Sequence, residues 1–392
     1  MSSSCYDLDK VSTFHSCRKI LLGKGVLAQA GVEARKLGGD RVLIVTDPGI
    51  VKADLVRLAE EPLKAQGIEI AVFDKVEPEP PTRVIDECAA TVRAGGFSLI
   101  IGLGGGSSLD TAKAASVLAT NPGPVLNYVG MDTLPNRGLP SILIPTTAGT
   151  GSEATRVFVM TDESTNTKKV VYSDFLIPDL AILDPMLTVS TPPSITADTG
   201  MDALVHAIEA YVSVNTTPFA EVLALKAIEL IAVNLPQAYA KGSNLRARYN
   251  MLLAANFGGS AFTSGGLGAV HGLAYVLGTE YHMSHGRSNA IMLPHVMKFN
   301  KAGNLEKFAD IAAVMGENIE GLSLYEAADK APAAVESLLT AINLTYRLSA
   351  YGITESDLPK LVEGGMAQAR LFVHNPRDLT RADVETIYRS AL

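Results

Sequence analysis

Four side chains with metal-binding chemistry lie in the second half of the sequence. Asp202 and His206 occur four residues apart in TADTGMDALVHAIEAY, and His271 and His285 follow in AVHGLAY and SHGRSNA. On a helix, residues four apart share a face and are about 6 Å apart along the axis, so Asp202 and His206 can contact one ion from one side. One carboxylate and three imidazoles can ligate Fe(II), Zn(II) or a similar ion. If these groups converge, the protein is a metalloenzyme.

The spacing of His271 and His285 requires a turn between them. They are 14 residues apart, which on one straight helix would separate them by about 21 Å, too far to share an ion. We expect the chain to break at Gly278 and Gly286, with His285 on a loop that returns to the site. His295 follows a proline in an apolar run, and we expect it to make a structural hydrogen bond instead.

Two turns rich in glycine and threonine in the first half predict a dinucleotide site. GLGGGSSLDTAK, Gly102–Lys113, lies between an apolar strand and a helix, where backbone N–H groups can approach a pyrophosphate. A second turn, IPTTAGTGSE, adds the hydroxyls of Thr146, Thr147 and Thr150. Asp47 ends the apolar run RVLIVTD, where a carboxylate can accept hydrogen bonds from an adenosine ribose and repel a 2′-phosphate. The pattern favours NAD(H) over NADP(H), although Asp47 also has the position of a turn cap.

The elements that must position these residues divide the chain into two parts. In the first part, apolar runs such as RVLIVTD, IEIAVFD, SLIIGLGGG and LPSILIPTT alternate with helical patterns, as in a parallel sheet covered on both faces. From Pro192 onward, segments rich in alanine and leucine have helical periodicity, and the turn-rich Asp184–Ser194 separates the two parts. We predict an α/β, Rossmann-like N-terminal domain with a parallel sheet over residues 1–187, and an all-α C-terminal domain with the metal over residues 188–392.

Composition and charge limit the classes of partner. The 392 residues are 47% hydrophobic and carry a net charge of −8, and without a long basic run this argues against nucleic acid or an anionic membrane as partner. No apolar run approaches the roughly 20 residues of a membrane-spanning helix, and no secretory signal is visible. Cys5, Cys17 and Cys88 lack metal-binding spacing. We expect a cytoplasmic enzyme that acts on a small molecule.

A resemblance to a known family rests on four motifs, GGGSSLDTAK, PTTAGTGSE, TGMDALVHAIEAY and HGRSNAIMLPH, in this order. They resemble the iron-dependent (type III) alcohol dehydrogenase family, which includes lactaldehyde and propanediol reductases. The resemblance extends over almost the whole chain and implies NAD and a metal in a cleft between two domains, usually in a homodimer. It assigns the metal to Asp202, His206, His271 and His285. It assigns the cofactor contacts to Asp47, Gly105, Gly106, Ser107, Asp110, Thr146, Thr147, Thr150 and Lys168.

The resemblance also implies a reaction. It is reversible hydride transfer between the nicotinamide and the carbonyl carbon of a small aldehyde or primary alcohol, with the metal polarising the oxygen. Many members have a proton-passing histidine four residues after the third ligand, where this chain has Tyr275; a phenol can also pass a proton. His282 is a second candidate for this role.

Two other functions use the same residues. A lyase like dehydroquinate synthase shares the architecture, NAD and a metal, but its phosphorylated substrate needs a density of basic residues that the helical part does not show around its histidines. A non-enzymatic NADH sensor would bind the same groups without turnover. Within the dehydrogenase hypothesis, Arg156 and Arg287 could favour an aldehyde with a carboxylate, sulfonate or phosphonate, although ion pairs would explain both residues as well.

Overall fold

The structure, a computed structural model, describes residues 11–165 and 167–392. The chain forms two compact units, His15–Thr191 and one that contains Pro192–Leu392. The first is built around a parallel sheet and the second is helical, which confirms the predicted fold class. The functional domain limits of 1–187 and 188–392 stay a prediction. Cys5 lies outside the described residues, and Cys17 and Cys88 are buried free thiols.

The strands form two sheets in the first unit. They are β1 (Ile20–Leu22), β2 (Arg41–Val45), β3 (Glu69–Phe73), β4 (Leu99–Gly104), β5 (Gly130–Met131), β6 (Ser141–Pro145), β7 (Val157–Asp162), β8 (Thr167–Tyr172) and β9 (Leu180–Leu183). The larger sheet has the order β1-β9-β6-β4-β2-β3 and is parallel throughout. The smaller has the order β5-β8-β7, in which β7 and β8 are antiparallel.

The first unit holds five α-helices among the described residues and the second holds nine. They are α1 (Ala30–Lys36), α2 (Pro48–Lys52), α3 (Leu55–Lys64), α4 (Thr82–Gly95) and α5 (Gly106–Leu118), then α6 (Pro193–Val212), α7 (Pro218–Ala240), α8 (Leu245–Gly265), α9 (Ala269–Tyr281), α10 (His285–Asn300), α11 (Leu305–Val314), α12 (Leu324–Ala341), α13 (Leu358–Met366) and α14 (Arg381–Ala391). None of these described helices combines the length and apolar character needed to cross a bilayer.

The central strands of the larger sheet are apolar because both of their faces are covered. Every residue of β4 is buried, as is every residue of β2 after Arg41. Ile44 and Ile101 pack in one core with residues of α1 and α3, whereas Leu43 and Ile100 pack in another with residues of α4 and α5. Helices on both faces explain the continuous apolar runs in the sequence.

The strand order creates a place for a ligand. The chain runs from β2 outward to β3 on one side and then returns to place β4 on the other side of β2. In open parallel sheets, ligands bind at the carboxyl ends of strands where the order reverses in this way. Asp47 follows β2, and Gly105 and Gly106 follow β4, so the structure brings the predicted cofactor residues to this point.

The second unit has a central helix, α6. It begins at Pro193, where a proline costs no helical hydrogen bond, and it is buried continuously from Gly200 to Val212 against α7, α8 and α10. A helix surrounded in this way is expected to be apolar on every side. The polar residues in that buried stretch, Asp202, His206 and Glu209, therefore need a function or a partner to offset the cost of their burial.

Candidate metal centre and cofactor site

The four predicted metal ligands converge in the helical unit. Oδ1 of Asp202 lies 3.9 Å from Nε2 of His206, 4.0 Å from Nε2 of His271 and 3.6 Å from Nε2 of His285. The rings of His206 and His271 stack with centroids 5.0 Å apart. Three imidazole nitrogens thus surround one carboxylate oxygen.

Three helices position these donors. Asp202 and His206 lie one turn apart on α6, His271 lies in the first turn of α9, and His285 is the first residue of α10. The predicted breaks at Gly278 and Gly286 are wrong, because both glycines lie inside helices, and His285 does not lie on a loop.

The turn between α9 and α10 is formed by other residues. α9 ends at Tyr281, His282 follows it in the left-handed conformation with φ 54°, and α10 begins three residues later at His285. Gly286 serves a different purpose, since a Cβ there would lie 2.2 Å from the carbonyl oxygen of Asp198 on α6. Its missing side chain lets α10 approach α6 closely enough to bring His285 beside Asp202.

The donor set fits a divalent ion. Two ligands about 2.1 Å from a common tetrahedral ion lie about 3.4 Å apart, close to the separations observed here. The donor atoms of Asp202, His271 and His285 all lie within 4.8 Å of one another. His206 lies at the margin of this group, joined to it through Asp202. A carboxylate oxygen with imidazole nitrogens is a suitable set for Fe(II) or Zn(II).

The protonation states of the donors suit a cation. Burial would raise the pKa of Asp202, but the three imidazoles and a donated hydrogen bond outweigh it and lower that pKa. Burial lowers the pKa of His206 to about 4. At neutral pH the site therefore offers an ionised carboxylate and a neutral His206 imidazole, the forms in which both groups bind metals.

Two buried polar residues beside the donors were not predicted from the sequence. The amide nitrogen of Asn289 donates to Oδ1 of Asp202 at 2.7 Å and lies 3.1 Å from Nε2 of both His271 and His285. Glu209 contacts the opposite side of the His271 ring. Each lies three or four residues from a predicted ligand on the same helix. That spacing places both on the same helix face as a ligand, and it could have identified them from the sequence.

The other residues singled out in this unit have distinct surroundings. Tyr275 is partly buried and its ring stacks on that of His285 with centroids 5.8 Å apart, whereas His282 is exposed at the end of α9. His295 is hydrogen-bonded at both ring nitrogens, to Ser390 and to the carbonyl oxygen of Tyr346. The structural role expected for His295 is confirmed.

Both arginines considered for an anionic substrate are already paired. Nε of Arg287 donates to Asp198 at 2.6 Å. Arg156 contacts Asp132 at 2.6 Å and Asp174 at 2.9 Å. Their positive charge is balanced by carboxylates of the protein, in line with the ion-pair explanation.

At the cofactor site, the glycine-rich turn and the threonine-rich turn lie side by side. Gly105 caps α5 and Gly106 begins it, so the first N–H groups of this helix face the carboxyl ends of the strands. A Cβ on Gly106 would lie 2.6 Å from Cγ2 of Thr150, and one on Gly105 would lie 3.6 Å from Oγ1 of Thr147. Oγ of Ser107 accepts from the backbone of Glu79 at 3.1 Å. These residues form a concentrated set of N–H and hydroxyl donors.

The remaining cofactor candidates already make internal contacts. Asp47 caps α2 through the N–H groups of Gly49 and Ile50, and also accepts from Ser108 at 3.0 Å. Its turn-capping role is therefore present. Thr146 is buried, and its backbone N–H donates to the carbonyl oxygen of Gly104.

Asp110 and Lys168 are also engaged. Asp110 is partly buried and accepts from Ser152 at 2.6 Å and from the backbone of Val159 at 2.9 Å. Burial raises its pKa, an effect that the nearby ammonium of Lys113 opposes. Lys168 donates to Glu79 at 2.6 Å and to Thr161 at 2.8 Å. Asp110, on α5, thus connects the glycine-rich turn to Ser152 at the end of the threonine-rich turn, and Lys168 is held by Glu79 and Thr161.

Models of one protein family match both parts of the chain. Residues 17–185 match the model of the iron-containing alcohol dehydrogenases, and residues 196–392 match that of the C-terminal part of the Fe-containing alcohol dehydrogenase family. The chain belongs to the iron-containing alcohol dehydrogenase family and is an oxidoreductase of alcohols and aldehydes.

Several relatives match over nearly their full length. Long-chain-alcohol dehydrogenase 1 of Geobacillus thermodenitrificans is 44% identical and covers 94% of each chain. The 1,3-propanediol dehydrogenase of Klebsiella pneumoniae is 42% identical, and the sulfoacetaldehyde reductase of Bilophila wadsworthia 39%, each over 94% of this chain and 96% of the relative. These relatives are dehydrogenases or reductases, which favours that class over the lyase alternative.

Solved structures agree with the fold. The crystal structure of a 1,3-propanediol oxidoreductase has a TM-score of 0.95 at 40% identity and covers 98% of this chain and 100% of its own. The sulfoacetaldehyde reductase of Bifidobacterium kashiwanohense, in complex with NAD+, has a TM-score of 0.88 at 29% identity, with coverages of 97% and 99%.

Proposed function

We propose that this protein transfers hydride reversibly between NAD(H) and a small primary alcohol or aldehyde with a divalent metal, Fe(II) in the first instance, bound by Asp202, His206, His271 and His285. One observation carries the proposal: three imidazole nitrogens lie 3.6–4.0 Å from a single buried carboxylate oxygen. Such a cation would supply the positive charge that stabilises the negative charge developing on the oxygen of a neutral or acidic aldehyde.

The metal, when bound, would act as a Lewis acid toward the substrate oxygen. The residues of the chain supply the rest. The four ligands would hold the cation from helices α6, α9 and α10, where α10 packs against both α6 and α9. We propose that Tyr275, whose ring stacks on that of His285, holds a proton near the substrate oxygen, with the exposed His282 as a route to solvent.

NAD(H) is the cofactor that the first unit supports best. The N-terminus of α5, with Gly105, Gly106 and Ser107, offers backbone N–H groups to a pyrophosphate. The carboxylate of Asp47 lies after β2, where it would repel the 2′-phosphate of NADP(H). The NAD+ complex of the Bifidobacterium kashiwanohense relative supports the same cofactor.

The ion pairs of two arginines bear on whether the substrate carries an acidic group. A sulfoacetaldehyde reductase among the relatives supports an aldehyde with an acidic group. Against it, Arg156 and Arg287 are each paired with carboxylates, and an anionic substrate would have to displace them. We therefore propose short uncharged aldehydes as the preferred substrates and acidic ones as the second candidate.

The test is NADH oxidation with a panel of short aldehydes after loading with Fe(II) or Zn(II). We expect net NADH consumption with propanal, loss of turnover in His271→Ala, and unchanged NADH binding in that variant. A lyase or a sensor would consume no NADH. Faster turnover of succinic semialdehyde or sulfoacetaldehyde than of propanal would favour the acidic substrate class.

Assembly and location complete the proposal. We propose a homodimer, which the family resemblance implies, and a cytoplasmic location, which is the expectation from the sequence. Size-exclusion chromatography with light scattering measures the assembly directly, and a monomeric mass at assay concentration would contradict the dimer.

A further inference from the structure

We propose that Glu209 is a positioning residue of the metal centre, which holds His271 so that only its Nε2 is available to the ion. This inference rests on the metal site proposed above and adds a residue to it. The residue lies on α6, three positions after His206, and its side chain is only 5% exposed.

Glu209 uses both of its carboxylate oxygens on one short segment. Oε2 lies 2.6 Å from Nδ1 of His271, and Oε1 accepts from the backbone N–H of Val270 at 2.6 Å. Val270 lies in the first turn of α9, where N–H groups have no acceptor within the helix. The same carboxylate therefore fixes the ring of His271 and the start of the helix that carries it.

The contact with Nδ1 determines the tautomer of His271. A carboxylate accepts only, so Nδ1 must carry the proton and Nε2 must keep its lone pair. Nε2 is the atom that faces Asp202, at 4.0 Å. A carboxylate behind a ligating imidazole also makes the ligand more basic and limits its rotation, which strengthens metal binding.

The burial of Glu209 gives an independent argument. Within the described part of the chain, no lysine or arginine forms an ion pair with it, and its ionic partner is His271. A buried carboxylate is costly unless nearby groups compensate its charge. A cation on the far side of the His271 ring would supply that compensation, and this explains why Glu209 is tolerated at a buried position of α6.

The experiment compares the metal affinity of Glu209→Gln with that of the wild type, by chelator competition with Zn(II), and records the absorption spectrum of the Co(II)-loaded protein. The amide keeps the size of the side chain but loses its charge. We expect affinity to fall about 10- to 100-fold, as for other partners of ligating histidines, and the Co(II) bands to change.

Two further variants make the result specific. Glu221→Gln is the matched control, because Glu221 is another buried carboxylate of the same unit but is paired with Lys307; we expect it to keep wild-type affinity and an unchanged Co(II) spectrum. His206→Ala removes a proposed ligand. If His206→Ala loses the metal and Glu209→Gln does not, the role of Glu209 is refuted and the metal site stands.

Other outcomes also decide the matter. If neither variant changes Zn(II) affinity, the proposed metal site itself fails. If Glu221→Gln weakens binding as much as Glu209→Gln, the effect is general destabilisation and the proposal is overturned. Should Glu209→Gln not fold, Glu209→Asp keeps the charge but draws it away from His271, and wild-type affinity in that variant would refute the proposal.

Discussion

The close approach of α10 to α6 at Gly286 can be tested by adding a single methyl group. In Gly286→Ala, the new Cβ would lie 2.2 Å from the carbonyl oxygen of Asp198 and 2.7 Å from its carbonyl carbon. Ordinary contact begins at 3.4 Å, so the oxygen is too close by 3.4 − 2.2 = 1.2 Å. Because the obstacle is backbone, a side-chain rotation cannot relieve it, and α10 must move away from α6.

The size of that movement determines the expected loss of stability and of metal affinity. Overpacking of this kind costs about 1–3 kcal/mol of stability. The neighbouring His285 lies 3.6 Å from Asp202, and metal–ligand distances vary by only about 0.2 Å, so a shift of about 1 Å would remove His285 from the ion. Loss of a hydrogen-bond partner of a ligating histidine typically lowers metal affinity about 10- to 100-fold. We expect a larger fall here, because a ligand itself is displaced.

The assay is chelator competition with Zn(II), together with thermal unfolding of the metal-free protein. Gly303→Ala is the control, because its Cβ would lie 2.5 Å from the carbonyl oxygen of Pro376 in the same unit. Gly303 follows the far end of α10, about 22 Å along the helix from His285. We expect both variants to unfold at lower temperature and only Gly286→Ala to lose metal affinity. Wild-type affinity in Gly286→Ala would refute the reasoning that this contact sets the position of His285.

Three further predictions concern other parts of the molecule. Asp202→Asn removes the anionic ligand, and we expect metal content after dialysis, measured by mass spectrometry, to fall to background; retained metal would contradict the ligand set. Gly106→Ala would place a Cβ 2.6 Å from Thr150, and we expect weaker NADH binding with unchanged metal affinity. Since the chain has no tryptophan, NADH fluorescence reports that binding directly. An unchanged fluorescence titration would contradict the proposed pyrophosphate site at the N-terminus of α5. Burial lowers the pKa of His295 from 6.5 to about 4, so the unfolded chain takes up the proton first and stability is lost as pH falls from about 6.5 to about 4. We expect His295→Gln to show a smaller acid-side loss in urea unfolding, and an identical pH dependence would exclude this residue as its source.

The larger sheet could be predicted where strands are long and apolar. The runs that became β2, β4 and β6 carried a clear pattern, because strands buried on both faces must be apolar throughout. The edge strand β3 is only partly buried, but its run IEIAVFD also indicated a strand. The sequence patterns did not predict β1, β5 or β9, which span only two to four residues and whose pairing depends on distant partners. The patterns did not predict the antiparallel β7 and β8 either.

The four candidate metal ligands could be predicted from the sequence, but the way in which the helices position them could not. Asp202 and His206 share a helix face by spacing alone. The glycines near His285 were expected to break helices, but Gly286 instead permits contact between two helices, and α9 ends just before His282. Local propensity does not reveal whether a glycine ends a helix or permits close contact between two helices. The answer depends on which residues of other segments pack against it.

What the sequence alone determined is the chemistry that this chain can perform, since the types of donor, the helical spacing of two of them and the glycine-rich turns after apolar strands are local properties of the chain. Only the tertiary structure decided which atoms meet. Arg156 and Arg287 pair with carboxylates of the protein, and Glu209 lies behind His271, 62 positions further along the chain. These contacts join segments far apart in sequence, and the packing of whole helices, which no local pattern encodes, determines them.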